Sequence, residues 1–280
     1  MYNVRIVDLH KIIASEKASL EYLCNKTPVS CPECSHSKSY ILNKGRLRCV
    51  MRRTDYSPFK NTYFSLVSIP LYKWLAVIKL FELPVSARKA AVEADISYPT
   101  ALKTFDVIKG AITEELSKKD KKLKGEIEAD EAYFGGKSKG NRGRGAGNKV
   151  IVFGILERKG KVSVDIVPDV SAETLLQSTV KKVRRGSIVY TDKWKGYDSL
   201  MFCGYRHLRI DHKKEFKQGK VYINSIEGFW SFAKERLIKF HGISPRKFLC
   251  YIKEQEWRYN NREKDLFELI VNYMLGTPRL

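Results

Sequence analysis

The sequence predicts an α/β fold in which a mixed sheet is flanked by helices, preceded by a small cysteine-containing module and a helical region. Three observations predict this arrangement. Strand-like and helical runs alternate after residue 121, residues 67–118 have helical periodicity, and three of the six cysteines lie between residues 31 and 49. From these changes we predict segments at 1–28, 29–62, 63–120 and 121–280.

The composition indicates a folded protein that is attracted to polyanions. Of its 280 residues, 43% are hydrophobic, which is enough for a substantial core, and the net charge is +21. Such an excess of positive charge makes nucleic acid the first candidate partner and an anionic membrane surface the second. No run approaches the roughly 18 apolar residues that a membrane span requires. We therefore expect no membrane association, and the N-terminus has no signal-peptide organisation.

The N-terminal segments are predicted from local pattern. Residues 1–28 form a short helical lead-in, and residues 29–62 are rich in turns and short strands. Residues 85–112 resemble a helix-turn-helix, with two helices separated by a turn near residues 95–97. A plain helical hairpin that packs against the cysteine module is the alternative.

The charged run "SKKDKKLKG" marks the predicted boundary of the segment 121–280. Four strand-like runs follow, with one helix before the last of them. The strand-like runs are "GEIEADEAYF", "KVIVFGILE", "KVSVDIVPD" and "SIVYTD", and the helix is "SAETLLQSTVKKVRR". The chain is predicted to be helical from Asn224 onward, with Ser244 and Pro245 as N-cap and first residue of a further helix.

Two aspartates are predicted at the C-terminal ends of strands. The strand "SIVYTD" ends at Asp192, and the strand in "EIEADEAYF" is predicted to end similarly at Asp130. If these strands are neighbours, the two carboxylates can share divalent cations such as Mg²⁺, which prefer oxygen ligands. A third ligand would come from the helix "NSIEGFWSFAKERLIKF", where Glu227 and Lys234 lie two turns apart on the polar side.

The motifs "EADEAYFGGK", "TDKWKGY", "YINSIEGFWSFAKERL" and "EWRYNNR", in this order and spacing, resemble the DDE transposases of the ISXO-type insertion sequences and the related Merlin elements. The resemblance covers nearly the whole chain. It implies an RNase H-like catalytic domain after a zinc ribbon, and two Mg²⁺ or Mn²⁺ ions held by Asp130, Asp192 and a third residue. Relatives carry Glu or Asn there, so Glu227 and Asn224 both qualify, and Glu227 is favoured. Lys234 would contact DNA near the scissile phosphate.

Two further acidic residues and a basic loop lie beside Asp130. Strand alternation puts Glu128 on the face of Asp130 and Glu131 on the opposite face, and we interpret both as supporting or solvated residues. The following loop, "GGKSKGNRGRGAGNK", is predicted to clamp the DNA backbone, with a solvated loop as the alternative. Its cations are Lys137, Lys139, Arg142, Arg144 and Lys149.

The cysteine module departs from a complete zinc ribbon. Cys31 and Cys34 form one Cys-x-x-Cys pair, but Arg52 stands where the second pair, begun by Cys49, should end. Either His36 or Cys24 completes a zinc site, or the site no longer binds metal well.

The predicted function is that of a DNA transposase which binds the terminal inverted repeats of its element, cleaves DNA and joins it to a target. The partners are double-stranded DNA and further copies of the chain. The location would be the bacterial cytoplasm, or a nucleus in a eukaryotic host. A structure-specific nuclease of the same fold and a non-catalytic DNA-binding protein are the alternatives. The stretch "EWRYNNR" is assigned to packing, with DNA contact by Arg258 and Arg262 as a further option.

Overall fold

The computed structural model describes residues 4–42, 45–118, 122–135, 149–192, 203–209, 223–240 and 242–278. Contacts divide the chain into two compact units. One comprises residues 1–115 together with 261–280, and the other comprises residues 116–260. This division is based on packing. It does not test the boundaries of the four segments predicted from the sequence, which stay a prediction.

The first unit contains the cysteine module and most of the helical region. Its sheet has the order β1-β2-β3 and is antiparallel. The strands are β1 (Ser39–Ile41), β2 (Leu47–Cys49) and β3 (Asp55–Tyr56), and the helices are α1 (Ile6–Ile12), α2 (Glu16–Cys24), α3 (Leu71–Glu82), α4 (Ala87–Glu93) and α5 (Tyr98–Lys118), with a 3₁₀ turn at Tyr63–Leu66. The predicted pair of helices split near residue 95 is present. Ala90 and Ala91 of α4 are buried, as expected where helices cross closely.

The C-terminal helix α9 (Leu266–Met274) packs in this first unit. Asp265 caps α9 by accepting a hydrogen bond from the Glu268 backbone N–H, and its other oxygen accepts from the Val4 backbone N–H. Glu268 in turn accepts from the Tyr22 hydroxyl at 2.7 Å. These bonds link the two ends of the chain across more than 240 positions.

The second unit is built on a five-stranded mixed sheet. Its strands are β4 (Glu126–Phe134), β5 (Val150–Glu157), β6 (Val162–Val167), β7 (Ile188–Thr191) and β8 (Arg206–Arg209). The strand order is β6-β5-β4-β7-β8, in which β4, β5 and β6 are antiparallel neighbours and β4, β7 and β8 run parallel. This topology confirms the predicted RNase H-like fold. The sequence reasoning found four of the strands and missed β8.

Helices cover both faces of the sheet. The helices of this unit are α6 (Ala172–Lys182), α7 (Asn224–Ile238) and α8 (Pro245–Asn260). Even-numbered residues of β4, such as Ala132 and Phe134, pack with α7 and α8, whereas the odd-numbered Ile127 and Ala129 pack on the side of α6. The position of Pro245 as the first residue of α8 agrees with the prediction.

Polar side chains of α8 close the free edge of the sheet at β6. Asn260 accepts from the Val162 N–H and donates to the Val162 carbonyl, both at 2.8 Å. Glu256 accepts from the Val164 N–H, and Lys253 donates to the Val164 carbonyl. An exposed edge strand can pair with strands of other chains. Here the side chains of α8 make hydrogen bonds to the edge of β6 that another strand would otherwise make.

Among the helices that the structure describes, none combines the length and the apolar character that crossing a bilayer requires.

Candidate active site

Strands β4 and β7 bring the two predicted aspartates to the same level of the sheet. The parallel register pairs Glu126 with Ile188 and Glu128 with Tyr190. Continued by two residues, this register sets Asp130 opposite Asp192, which directly follows β7. Asp130 itself lies in the middle of β4 and not at its end, because the strand continues to Phe134. Adjacent strands lie about 4.8 Å apart and side chains alternate between faces, so both carboxylates project on the face that α7 covers.

Asp130 lies in a largely desolvated environment with other negative charges nearby. The pKa of Asp130 is raised to about 7, first because the carboxyl group is buried and then because the charges of Glu131 and Asp192 disfavour its ionisation. Hydrogen bonds from the Glu131 backbone and from Trp230 act in the opposite direction. The effect of Asp192 on Asp130 shows that the two side chains are within electrostatic reach of each other.

Helix α7 presents its apolar stripe to the sheet, as the 3.6-residue period predicts. The buried residues of α7 are Ile226, Phe229, Trp230, Ala233 and Leu237. Asn224, Glu227 and Lys234 are exposed. At about 100° per residue, Glu227 lies about 60° and Asn224 about 120° around the helix from Trp230, the residue that contacts Asp130.

Glu128 fixes the first turn of α7 to strand β4. Its side chain is fully buried, at 0% exposure, and its Oε2 accepts from the backbone N–H groups of Ser225 and Ile226 at 2.9 and 3.0 Å. Oε1 accepts from Arg158 Nε at 2.9 Å and from the Ser225 hydroxyl at 3.2 Å. The helix's own N-cap, Ile223, has no side chain able to cap it.

A second link ties the next turn of α7 to Asp130 itself. The indole N–H of Trp230 donates to Asp130 Oδ2 at 3.1 Å. Glu227 lies between the turn held by Glu128 and the residue held by Asp130. Three residues of helix correspond to about 4.5 Å along the axis, so Glu227 is anchored close to the level of Asp130.

The sequence reasoning underestimated Glu128. Alternation placed it on the face of Asp130, which the structure confirms, but did not separate a supporting role from a solvated one. Its partners, residues 225–226, lie 97 and 98 positions away. The signal available in the sequence was a glutamate two residues before Asp130 on the same strand face.

The basic residues are only partly described. Lys234 is exposed and borders an apolar cavity of ≈ 520 Å³ beside Phe134 and Gly135, at the C-terminal end of β4. Lys149 directly precedes β5, where Val150 pairs with Phe134, and so lies at this same end. Four of the predicted clamp residues lie outside the described residues; they are Lys137, Lys139, Arg142 and Arg144.

The donor set suits a divalent cation such as Mg²⁺. Asp130 and Asp192 offer carboxylate oxygens, the ligands that hard cations prefer, and they lie level on adjacent strands. A cation would offset the mutual repulsion of these carboxylates. Asn224 and Glu227 lie exposed on the anchored turn of α7, and the structure does not gather the Glu227 carboxylate into one converging group with the two aspartates.

The cysteine cluster is the other candidate metal centre. The sulfur atoms of Cys31, Cys34 and Cys49 all lie within 4.8 Å of one another, with 3.6 Å between those of Cys34 and Cys49. Burial raises the pKa of Cys31, but backbone N–H groups of Glu33 and Cys34 outweigh this and lower it to about 7. Three thiols at this separation could hold zinc.

The two turns that carry these cysteines share one backbone arrangement. In the first, the Cys31 N–H donates to the His36 carbonyl and the Ser35 N–H to the Cys31 carbonyl. In the second, the Cys49 N–H donates to the Thr54 carbonyl and the Arg53 N–H to the Cys49 carbonyl. The fifth residue of each turn has a positive φ, 57° at Ser35 and 58° at Arg53.

The second turn therefore keeps the geometry of a cysteine pair although Arg52 replaces its second cysteine. The Arg52 backbone N–H donates to Cys49 Sγ at 3.4 Å. Among the described residues, the His, Cys, Asp and Glu side chains that bring three ligand atoms within 4.8 Å of one another are those of Cys31, Cys34 and Cys49. Neither His36 nor Cys24, the predicted donors of a fourth ligand, belongs to that group.

Arg258 is wrong as a candidate DNA contact. Its side chain is 5% exposed and forms an ion pair with Glu254 at 2.8 Å, one helical turn earlier. Trp257 beside it is buried. Trp257 and Arg258 therefore serve packing, whereas Arg262 is exposed.

An RNase H-like sheet with acidic residues level on two adjacent strands agrees with a DDE-type transposase and is shared by nucleases of the same fold. Comparison with known sequences agrees. The family described as the ISXO2-like transposase domain matches residues 122–260. An uncharacterized transposase-like protein of Haemophilus influenzae is 46% identical over 105 residues, which cover 38% of this chain and 85% of that protein. The chain belongs to the ISXO2-like transposase family.

More distant similarities extend over a larger part of the chain. An uncharacterized protein in the transposable element ISH50 of Halobacterium salinarum is 26% identical over 280 residues, covering 89% of this chain and 92% of that protein. Among solved structures, the Mos1 strand transfer complex matches with a TM-score of 0.29 and 13% identity, over 74% of this chain and 78% of that chain. A similarity at this score supports no argument about fold or function.

Proposed function

We propose that this transposase binds the terminal inverted repeats of its element, cleaves DNA strands there and joins the freed ends to target DNA. The observation that carries the proposal is the alignment of Asp130 and Asp192 beneath a helix turn held to the same strand by Glu128 and Trp230. Family membership supports DNA as the substrate, and the net charge of +21 favours the binding of polyanions.

The proposed chemistry is displacement at phosphorus. Two divalent cations held by Asp130, Asp192 and Glu227 would activate the attacking oxygen and stabilise the leaving 3′ oxygen. Water as the attacking group gives strand cleavage, with a proton released to solvent and a free 3′ hydroxyl left on the cut strand. That hydroxyl as the attacking group gives strand transfer, in which one phosphodiester bond breaks as another forms.

The remaining residues bind and position DNA. Lys234 lies exposed two turns beyond Glu227 on α7, and its amine would contact a phosphate near the site. Lys149 and the basic loop before it would add backbone contacts, and helices α4 and α5 are proposed to read the repeat. Because two element ends must meet, the active form is proposed to be a homo-oligomer. The three thiols are proposed to hold zinc.

The test uses the purified full-length protein, Mg²⁺, and DNA that carries the genomic sequences flanking its gene. Wild type is expected to produce free 3′ hydroxyl ends and joined products, resolved on denaturing gels. Asp192→Asn is expected to retain DNA affinity, measured by mobility shift, and to produce neither product. The matched control is Asp165→Asn, which changes an aspartate on strand β6 that pairs with Lys253.

Other outcomes separate the alternatives. Cleavage without joining would indicate a structure-specific nuclease. Binding without cleavage, with Mn²⁺ as well as Mg²⁺, would indicate a non-catalytic DNA-binding protein. Equal loss of binding and cleavage in Asp192→Asn would contradict the role of Asp192 as a metal ligand.

A further inference from the structure

Strand β5 has no side chain at the position directly beside Asp130. In the antiparallel register, Asp130 of β4 is paired with Gly154 of β5. The indole ring of Trp230 lies over Gly154. A Cβ atom at position 154 would be 2.4 Å from Trp230 Cζ2 and 2.7 Å from Cη2, closer than real Cβ contacts allow. Gly154 has an ordinary backbone conformation, since no positive φ is recorded for it. Close approach of the ring therefore explains the glycine better than backbone freedom.

The ring that fills this space is held on several sides. Trp230 is 4% exposed and packs at a tilt against Phe229, with a ring-centroid distance of 5.1 Å, and edge-on against Phe134 at 6.1 Å. A buried indole needs an acceptor for its N–H, and here the acceptor is Asp130 Oδ2 at 3.1 Å. Because this donor is itself held by buried neighbours, it restricts the orientation of the Asp130 side chain.

We propose that Trp230 is the positioning residue for the Asp130 carboxylate, and that Gly154 is the residue that gives the indole its place. The inference rests on the proposed role of Asp130 as a metal ligand and extends it. A carboxylate bound through one oxygen by a fixed donor loses less rotational freedom when it takes a cation. Donors that orient a metal ligand in this way typically contribute 10- to 100-fold to metal affinity or activity.

The test measures Mn²⁺ binding by the full-length chain in the absence of DNA, by counting free Mn²⁺ with electron paramagnetic resonance. Trp230→Phe keeps an aromatic ring and removes the N–H donor, and its Mn²⁺ dissociation constant is expected to rise about 10- to 100-fold. The matched control is Trp74→Phe. Trp74 is fully buried and donates its indole N–H to the Phe64 carbonyl at 3.1 Å in the other compact unit. This control is expected to bind Mn²⁺ as wild type does.

A second variant is designed to break the hydrogen bond between Trp230 and Asp130 without changing either residue. Gly154→Ala places a methyl group where the benzo carbons of the indole lie, so the ring must move and its N–H leaves Asp130. Its Mn²⁺ affinity is expected to fall as in Trp230→Phe. Phenylalanine has no counterpart to Cζ2 and Cη2, so the double variant is expected to be no weaker than Trp230→Phe alone. Such non-additivity is the signature of residues that act through one contact.

The metal dependence of DNA cleavage distinguishes positioning from packing. If Trp230 positions Asp130, raising the Mn²⁺ concentration should restore most of the cleavage rate of Trp230→Phe. A packing defect would lower the rate at every Mn²⁺ concentration and would lower the unfolding temperature. Independent effects of Gly154→Ala and Trp230→Phe would overturn the inference.

Asp130→Asn separates the inference from the function on which it rests. If Asp130→Asn loses Mn²⁺ binding while Trp230→Phe matches wild type within about twofold, the positioning role is wrong and the metal site stands. If Asp130→Asn binds Mn²⁺ as wild type does, the proposed metal site itself is wrong.

Discussion

The two candidate metal centres of this transposase are built in opposite ways. The carboxylate site lies on the nine-residue strand β4 and directly after the four-residue strand β7, and helix α7 is held to β4 through Glu128 and through Trp230. The cysteine cluster lies on two tight turns joined by two strands of three residues each. In the first, hydrogen bonds to buried partners hold the donors in place. In the second, the three thiols contact mainly one another and the backbone of their own turns.

This difference predicts what a metal does in each place. A scaffold that exists without the ion can lose a ligand and keep its fold, so changes there should reduce activity more than stability. Small modules with little core depend on the metal for folding. Their metal site does not exist in the unfolded chain, so the free energy of metal binding stabilises the folded state. Removing the metal from the cysteine module should therefore lower the stability of that module before it affects anything else.

The largest effect is expected from the third ligand of the carboxylate site. Glu227→Gln should lower the cleavage rate at least about 10⁴-fold, which corresponds to an increase of roughly 5.4 kcal/mol in the activation free energy. The unfolding temperature should stay within a degree or two of wild type, because the Glu227 side chain is exposed and caps no helix. Rates come from single-turnover cleavage of element-end DNA, and unfolding from circular dichroism.

Asn224→Ala is the matched comparison, one turn earlier and also exposed. Its cleavage rate should remain within about tenfold of wild type, or roughly 1.4 kcal/mol. The opposite result, an active Glu227→Gln and an inactive Asn224→Ala, would assign the third position to Asn224. A large loss of stability in Glu227→Gln would contradict the idea of a pre-built site.

The next largest effect is expected at Glu128, where a substitution should lower the free energy of unfolding. Glu128→Ala leaves Arg158, whose side chain is 8% exposed, without its buried partner and leaves two N–H groups of α7 uncapped. Loss of one partner of a buried ion pair costs about 3–5 kcal/mol of unfolding free energy. Urea unfolding of the purified protein measures this directly.

Glu126→Ala is the control because Glu126 pairs with the same arginine, at 3.5 Å, but is 43% exposed. Exposed ion pairs contribute about 1 kcal/mol or less. Similar costs for the two variants would show that Glu128 does not anchor α7. Glu128→Gln should recover part of the loss, since a glutamine oxygen can still accept from the helix N–H groups.

These anchors show which parts of the site the sequence could reveal. The apolar stripe of α7 and the placement of Asp130 and Asp192 follow from regular periods of 3.6 and 2 residues, and the structure has both features. Glu128, Gly154 and Trp230 act across β4, β5 and α7. A single chain shows no period that links residues about 100 positions apart, so their contacts could not be predicted.

The same reasoning explains the errors at the sheet edge and in the tail. Strand β8 is short, and "RHLR" has no apolar alternation to mark it. Arg258 looked like a surface cation because arginines usually are, whereas Glu254 one turn earlier neutralises it in the interior. Sequence patterns predict the elements well, but buried polar pairs depend on tertiary packing.

The smallest effect tests the cysteine module. Arg52→Cys should tighten zinc binding at least about tenfold, or 1.4 kcal/mol, measured by competition with a chromophoric chelator. The reason is the second turn, which already has the hydrogen bonds and the positive φ of the first, so a thiol at position 52 would face the other three. Zinc removal should then destabilise this variant more than it destabilises wild type.

Met51→Cys is the matched control, since it adds a thiol to the same turn at a 69% exposed position that breaks the Cys-x-x-Cys spacing. It should leave zinc affinity unchanged. Equal affinity of Arg52→Cys and wild type would show that wild type already has four donors, the fourth supplied from elsewhere in the chain. The cysteine module would then be as complete as the carboxylate site, and the contrast between the two centres would rest on their scaffolds alone.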